Sequence, residues 1–385
     1  MGDRFLLLRL DRPEEAAAAI VAHSRRRSID AVVAVDDQGV VTAAIASRDL
    51  GLPHSPPEAV RATRNKAEMR SLLAGEGVAQ ARYAVVRADA GDRAVADAAA
   101  SIGFPIVIKP TSLSGSRGII RVDDVAAALA ASARIRAILA DAGVLDGATL
   151  LFQEFLAGDE VAVEGILRQG NLEVLAVFDK PDPLEGPFFE ETIYVTPSRH
   201  PASVLANVGA VTSAAAHALG LTEGPVHAEV RLDPASGTAR LIEIAARTIG
   251  GRCSKVLTFA SGKSLEELVL AHALGLDANE VADSQAGSAA AGVMMLPIAH
   301  TGILRDVRGV TAALAVPGVT GVEISATIGR PVRAVPEGDR YLGFMFARGE
   351  SPAAVEAALR SGFSQLEIKI DRGIDAGEST GWQSC

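Results

Sequence analysis

Apolar and polar positions along this chain switch repeatedly between a period near two and a period near 3.6, and the switches mark its elements. The short apolar runs at 5–10 (FLLLRL) and 31–35 (AVVAV) read as buried strands. Pro13 opens a helix that reaches Arg27, and a second helix covers about 40–50, which makes a small βαβα unit. A helix follows over 65–76, a strand over 84–87, a helix over 92–102, and a strand at 104–110 (FPIVIKP) that enters the small-residue loop 111–118 (TSLSGSRG). A short strand (IIRV) and an Ala-rich helix over 123–141 complete that unit.

From 149 the pattern turns β-rich: TLLFQEFL, EVAVEGILRQGNLEVLAVFDK and FFEETIYV alternate with period two, and Gln169-Gly170-Asn171 marks a hairpin. A helix at 201–219 leads to two strands, VHAEVRLD and ARLIEIA, joined at 234–237, and a helix at 264–274 closes this part. A third unit over 286–372 has strands near 291–296, 320–325, 341–347 and 366–370 and a helix near 352–361. The Gly- and Ser-rich tail after Asp371 reads as loose.

Composition narrows the function classes. The 385 residues carry a net charge of −10, which argues against general nucleic-acid affinity. Aromatic residues are sparse, so the hydrophobic share of 49% is mostly aliphatic and suits βα layers. Two cysteines, Cys253 and Cys385, make no disulfide framework or zinc spacing. With no signal peptide and no run of 18 apolar residues, the expectation is a cytoplasmic protein without a membrane partner.

Candidate chemistry sits at four places. Lys109 ends a strand directly before a loop with Ser114, Gly115, Ser116 and Gly118, an arrangement that brings backbone N–H groups and a cation to an anion; an ordinary surface loop is the alternative. Glu154 and Leu156 offer a strand-end backbone to a planar base, with Glu160 beyond to accept from hydroxyls, or they are a plain strand and turn. Glu229 and Glu243 lie in consecutive apolar strands, where acids pair with a cation or hold a hard metal such as Mg²⁺; a carboxylate–arginine pair with Arg247 is the competing reading. His227 shares the strand face of Glu229, as a phosphate contact or a satisfied core histidine.

In this order the motifs resemble the ATP-grasp superfamily. RNKAEMRSLL with Lys66, IGFPIVIKPTSLSGSRGI with Lys109, LLFQEFLAGDEVAVEG, and VHAEVRLD followed by LIEIAARTIGG are similar to its successive ATP and metal segments. Within it, DKPDPLEGPFFEETIYVTP resembles the substrate loop of amino-acid ligases of the biotin-carboxylase-like branch. The resemblance implies an α+β ATP-grasp fold: a shortened Rossmann-like domain over 1–90, a two-lobed core over 91–285 with a lid at about 104–165, a small β-rich C-terminal domain over 286–372, and the loose tail 373–385.

It further implies ATP and Mg²⁺ as cofactors. Lys66, Lys109 and the loop Ser114, Gly115, Ser116 and Gly118 would hold phosphates. The backbones of Glu154 and Leu156 would read adenine, and Glu160 would hold ribose. Glu229 and Glu243 would bind metal, and Glu191, with Glu190 as its neighbour in register, would meet a substrate ammonium. Arg247 would stabilise the acyl phosphate and tetrahedral intermediate beside the substrate turn Gly250-Gly251. Ala245 stands where the family often has a metal-binding Asn.

The implied activity joins a carboxylate to an amine, both small-molecule substrates of the amino-acid kind, with a homodimer as the self-association it allows. A biotin-carboxylase-like or purine-pathway ligase and an ATP-binding module without turnover are the competing readings.

Overall fold

The computed structural model describes residues 5–257, 259, 262–276 and 290–372. The expected tail at 373–385, with Cys385, and the first four residues of the expected third unit lie outside the described residues.

Four helices come first: α1 (Pro13–Ser24), α2 (Val40–Leu50), α3 (Pro57–Thr63) and α4 (Lys66–Gly75). Then follow β1 (Tyr83–Arg87), α5 (Asp92–Ile102), β2 (Ile106–Pro110), β3 (Ile120–Val122), α6 (Val125–Asp141) and β4 (Thr149–Glu154). The next stretch holds β5 (Asp159–Arg168), β6 (Asn171–Lys180), β7 (Ile193–Thr196), α7 (Ala202–Leu219), β8 (Gly224–Leu232), β9 (Ala239–Ala245) and α8 (Leu265–Ala273). The C-terminal part has β10 (Ala290–Leu296), β11 (Gly302–Arg308), α9 (Val310–Leu314), β12 (Val319–Ile324), β13 (Pro331–Val332), β14 (Gly343–Gly349), α10 (Pro352–Phe363) and β15 (Glu367–Asp371).

Three sheets organise these elements. A four-stranded sheet has the order β1-β4-β2-β3, and α5 and α6 cover its apolar side, where Val95, Ile106, Ile108, Ile135 and Phe152 pack together. An eight-stranded sheet has the order β12-β14-β10-β7-β6-β5-β8-β9. α7 buries Val208, Val211 and Leu219 against one face of it, over Val161, Val163, Val230 and Leu241. By length and composition α7 could cross a bilayer, but here that apolar face is core. The third sheet is β13-β11-β15.

Two expectations change. The runs at 5–10 and 31–35 form no strand. Phe5 is 75%, Leu7 98% and Val35 86% exposed, and a lone apolar segment without ladder partners gains nothing by extending into a sheet. The FFEE segment at 188–191 is loop; only Ile193–Thr196 of the expected strand forms. The four-stranded sheet spans 83–154, so it takes in β1, ahead of the expected lid start at 104, and leaves β5 in the larger sheet. β10 pairs with β7, so the large sheet runs on across position 285 into the C-terminal part.

The decisive local feature is a bulge in β9. Glu229 stands opposite Glu243, but Val230 stands opposite Leu241, so Ile242 is an extra residue. The bulge resolves a conflict in the alternation. It turns Leu241 to the buried side with Val230 and Leu232, and leaves Glu243 beside Glu229 on the other face. Arg70, fully buried on α4, holds the bulge by donating to the carbonyls of Leu241 (3.0 Å) and Ile242, and to Gln80 (3.0 Å). Replacing Arg70 by Met should therefore strand two buried carbonyls and cost on the order of 3 kcal/mol, read as a lower urea midpoint. An unchanged midpoint would show that the bulge holds without it.

Candidate active site

Strict alternation places one row of charged side chains on the face of the large sheet opposite α7. In β5 these are Glu160 and Glu164, with the small Ala162 between them; in β6 the row includes Lys180; in β8 it includes His227, Glu229 and Arg231; in β9 it includes Glu243. The register makes Glu160 the neighbour of both Lys180 and Arg231, Ala162 that of Glu229, and Glu164 that of His227. Between this row and the four-stranded sheet lies an open cleft. Val107, Ile119, Leu156, Leu184 and Ile242 give it apolar walls, and Lys109, Ser116, Gln153, Glu160, Glu191, Glu229 and Arg231 supply its polar groups. The Leu156 N–H has no hydrogen-bond partner among the described residues.

The cations reach the cleft from separate elements. Asn65 caps α4, accepting from the N–H groups of Ala67 and Glu68, and so fixes Lys66 at the first turn. The Lys66 N–H donates to Thr111 O (3.0 Å), and its ammonium donates to Leu113 O (2.9 Å) and Glu243 (3.1 Å). The ammonium of Lys109, buried near the end of β2, has no hydrogen bond or ion pair among the described residues. Burial, aided by the charges of Arg70 and Lys66, pushes its ammonium down to about 7 against the pull of Glu243 and Glu229.

The acids are tied to one ammonium. Lys180, its side chain only 3% exposed, donates to Glu160 (2.6 Å), Glu191 (2.7 Å) and Glu229 (3.1 Å). Glu160 also takes Arg231 (2.8 Å), so both of its oxygens are paired. Burial raises the Glu229 carboxyl, and Glu191 and Glu243 add to that against Lys180. Burial also acts upward on Glu243, but Lys66, Lys109 and Arg247 outweigh it and hold that carboxyl below its usual range. Of the two acids in the FFEE loop, Glu191 points to Lys180, while Glu190 accepts the Ile298 N–H (3.1 Å).

The far end is built by β9 and the turn after it. Arg247 makes a two-pronged pair with Asp37 (2.8 and 3.1 Å), and Arg64 meets the same acid (3.1 Å). Buried Glu164 accepts the Ile249 N–H (2.9 Å), which anchors the turn carrying Gly250 and Gly251. At Gly251, φ is +60° and a Cβ would lie 2.7 Å from Met295 Sδ, so any side chain there would be strained and would have to displace Met295. Ala245 is buried opposite His227 and brings no donor.

The small-residue loop does not hang free. Gly118 N–H donates to Pro336 O (2.8 Å), Arg134 pairs with Glu337 (2.6 Å), and Asp141 takes both Arg117 and Arg333 (2.7 Å each). Ser114, Gly115 and Ser116 thus sit between β2 and the C-terminal part, and of these Ser116 lines the cleft.

Sequence reasoning missed Lys180, Asp37 and Arg231. For Lys180 a signal existed: VFDKP repeats the strand-end Lys-Pro of IVIKP that marked Lys109. Asp37 is a loop acid 210 residues from Arg247, and nothing local marks it.

The chain thus sets buried lysines beside paired acids at a cleft between two sheets. Family profiles match it in series: an ATP-grasp N-terminal domain at 2–54, an ATP-grasp domain at 102–256, and an L-amino acid ligase C-terminal domain 2 at 294–371. The chain belongs to the ATP-grasp superfamily. It is 28% identical over 277 residues to the alanine–anticapsin ligase of Bacillus subtilis, covering 68% of this chain and 57% of that protein. It is 30% identical over 315 residues to carnosine synthase 1 of Gallus gallus, covering 79% of this chain and 33% of that protein. The chain thus spans about half the length or less of these curated relatives. The crystal structure of an L-amino acid ligase from Bacillus licheniformis superposes with a TM-score of 0.81 at 26% identity, covering 93% of this chain and 86% of that one.

The state of Lys109 makes a prediction. Only the charged ammonium attracts a triphosphate, and in the free protein it is half charged near pH 7. ATP binding should therefore take up a proton, and its Kd should rise roughly tenfold between pH 7 and 8.5. Calorimetry in two buffers of different ionisation enthalpy measures this; identical heats would refute it, and Lys109→Met should abolish the buffer dependence.

Proposed function

We propose that this protein is an ATP-dependent ligase that joins the carboxylate of one amino-acid-like substrate to the amine of another, through an acyl phosphate, with release of ADP and phosphate. The observation that carries the reading is the meeting in one cleft of Lys109, Glu191 and Glu229, with Glu243 directly across the ladder from Glu229. The series of matched domains and the ligases among the relatives support it.

Each residue has a task in that reading. The apolar walls and the free Leu156 N–H receive adenine beside the Glu154 backbone, and Glu160 lies at the ribose. Lys66 and Lys109, with the loop from Ser114 to Gly118, hold phosphate oxygens. Glu229 and Glu243 fit a hard divalent cation, since they are adjacent carboxylates that each give only one oxygen to a lysine. Magnesium held there would neutralise phosphate charge.

A substrate carboxylate oxygen attacks the γ-phosphorus as the bond to ADP breaks. The amine then attacks the acyl carbon, loses a proton, and expels phosphate. Glu191 orients a substrate ammonium. Arg247, kept planar and oriented by Asp37, offers two N–H groups to the oxyanion beside Gly250 and Gly251. The lid sheet, fastened by Gly118 to Pro336, keeps water from the acyl phosphate.

ADP release screened over pairs of amino acids, with mass spectrometry of the products, tests the reading. ATP turnover that no amino acid stimulates would count against it. In the active pair, Glu243→Gln should lower kcat by about 10² or more while the fold melts normally, because a cation ligand is lost where phosphoryl charge must be neutralised. Near-normal turnover would remove Glu243 from the metal position.

A further inference from the structure

The carboxylates of Glu160, Glu191 and Glu229 come within 4.8 Å of one another, close enough to share one divalent ion. Lys180 Nζ already stands among them, 2.6, 2.7 and 3.1 Å from one oxygen of each. A lysine ammonium has three N–H donors, and here each goes to a different acid. The Tyr194 ring, 4.9 Å away, faces the same nitrogen. The second oxygen of Glu160 goes to Arg231. Glu191 and Glu229 lie within hydrogen-bond reach of each other, and no N–H donor other than Lys180 bonds either carboxylate among the described residues.

We propose that Lys180 is a positioning residue, the resident cation of the Glu160–Glu191–Glu229 cluster. It keeps divalent metal out of that cluster and confines it to Glu229 and Glu243. It also leaves one oxygen of Glu191 for the substrate amine and one of Glu229 for the metal. A divalent ion would need the same three oxygens that the ammonium holds, and two cations cannot occupy one position. Without Lys180 the three acids lose their shared counter-charge and become a ready oxygen site for a metal. The assignment of the amine to Glu191 rests on the ligase reading; the exclusion of metal does not.

The test is Mn²⁺ binding to the nucleotide-free full chain, followed by the spin resonance of free Mn²⁺. Lys180→Met should bind Mn²⁺ at least tenfold more tightly than the unaltered protein. Lys180→Arg, which keeps the charge, should not, and Lys180→Met combined with Glu191→Gln should lose the gain. Circular dichroism checks folding, and Lys180→Gln serves in the same way if the Met variant fails to fold. Equal Mn²⁺ affinity with and without Lys180, or a gain that survives Glu191→Gln, overturns the proposal.

The assay with amino acids adds a second arm. Lys180→Met should raise KM for the amine at least tenfold on its own, and add nothing to Glu191→Gln, because it acts through that acid. Additive effects would overturn the positioning role. Absence of any amino-acid-dependent ADP release in the unaltered protein would sink the ligase reading instead, while the Mn²⁺ result still decides the role of Lys180.

Discussion

Charge taken out of water must be matched by charge, and the site is arranged around that demand. Four acids, Glu160, Glu191, Glu229 and Glu243, stand close to four cations, Lys66, Lys109, Lys180 and Arg231. Lys180 binds three of those acids together, Lys66 takes the fourth, and Arg231 completes Glu160. One cation, Lys109, is left without a partner, and burial responds by weakening its hold on a proton. An unpaired buried cation beside an open cleft is costly in the free protein, and a bound anion would relieve it.

The backbone delivers these charges to one place by two devices. Alternation along β5, β6 and β8 puts every second residue into the row, and the small Ala162 stands directly opposite Glu229. The bulge at Ile242 does the rest, because without it Leu241 and Glu243 would share a face and either the core or the site would lose a member. Arg70 holds the bulge from α4, the helix whose first residue is Lys66. Core packing and a phosphate-binding candidate are thereby linked through one short helix.

The lid is tied down as firmly as the floor. The loop's Gly118 meets Pro336, and Arg134 and Asp141 of α6 meet Glu337 and Arg333, so the C-terminal part braces this sheet although it supplies none of the cleft's lining residues. The distal turn is held likewise, through Glu164 below and through Asp37 from the N-terminal part. Three regions far apart in sequence thus set the geometry of one centre.

What the chain determined by itself was local. Periodicity placed α5, β9, the hairpin at Gln169-Gly170 and the pairing of the two strands that carry Glu229 and Glu243, since each depends on residues within one or two turns or across one tight turn. The strand-end lysine Lys109 was legible for the same reason. The tertiary structure alone decided that Lys180 collects acids from three other segments, that Asp37 holds Arg247, and that the segment around Pro336 fastens the lid. It also left 5–10 and 31–35 unpaired, because a strand exists only where a neighbour offers a ladder. Hydrophobic pattern reports which face of an element is buried. Which charges then share that burial depends on contacts up to 210 residues apart, and no local pattern encodes them.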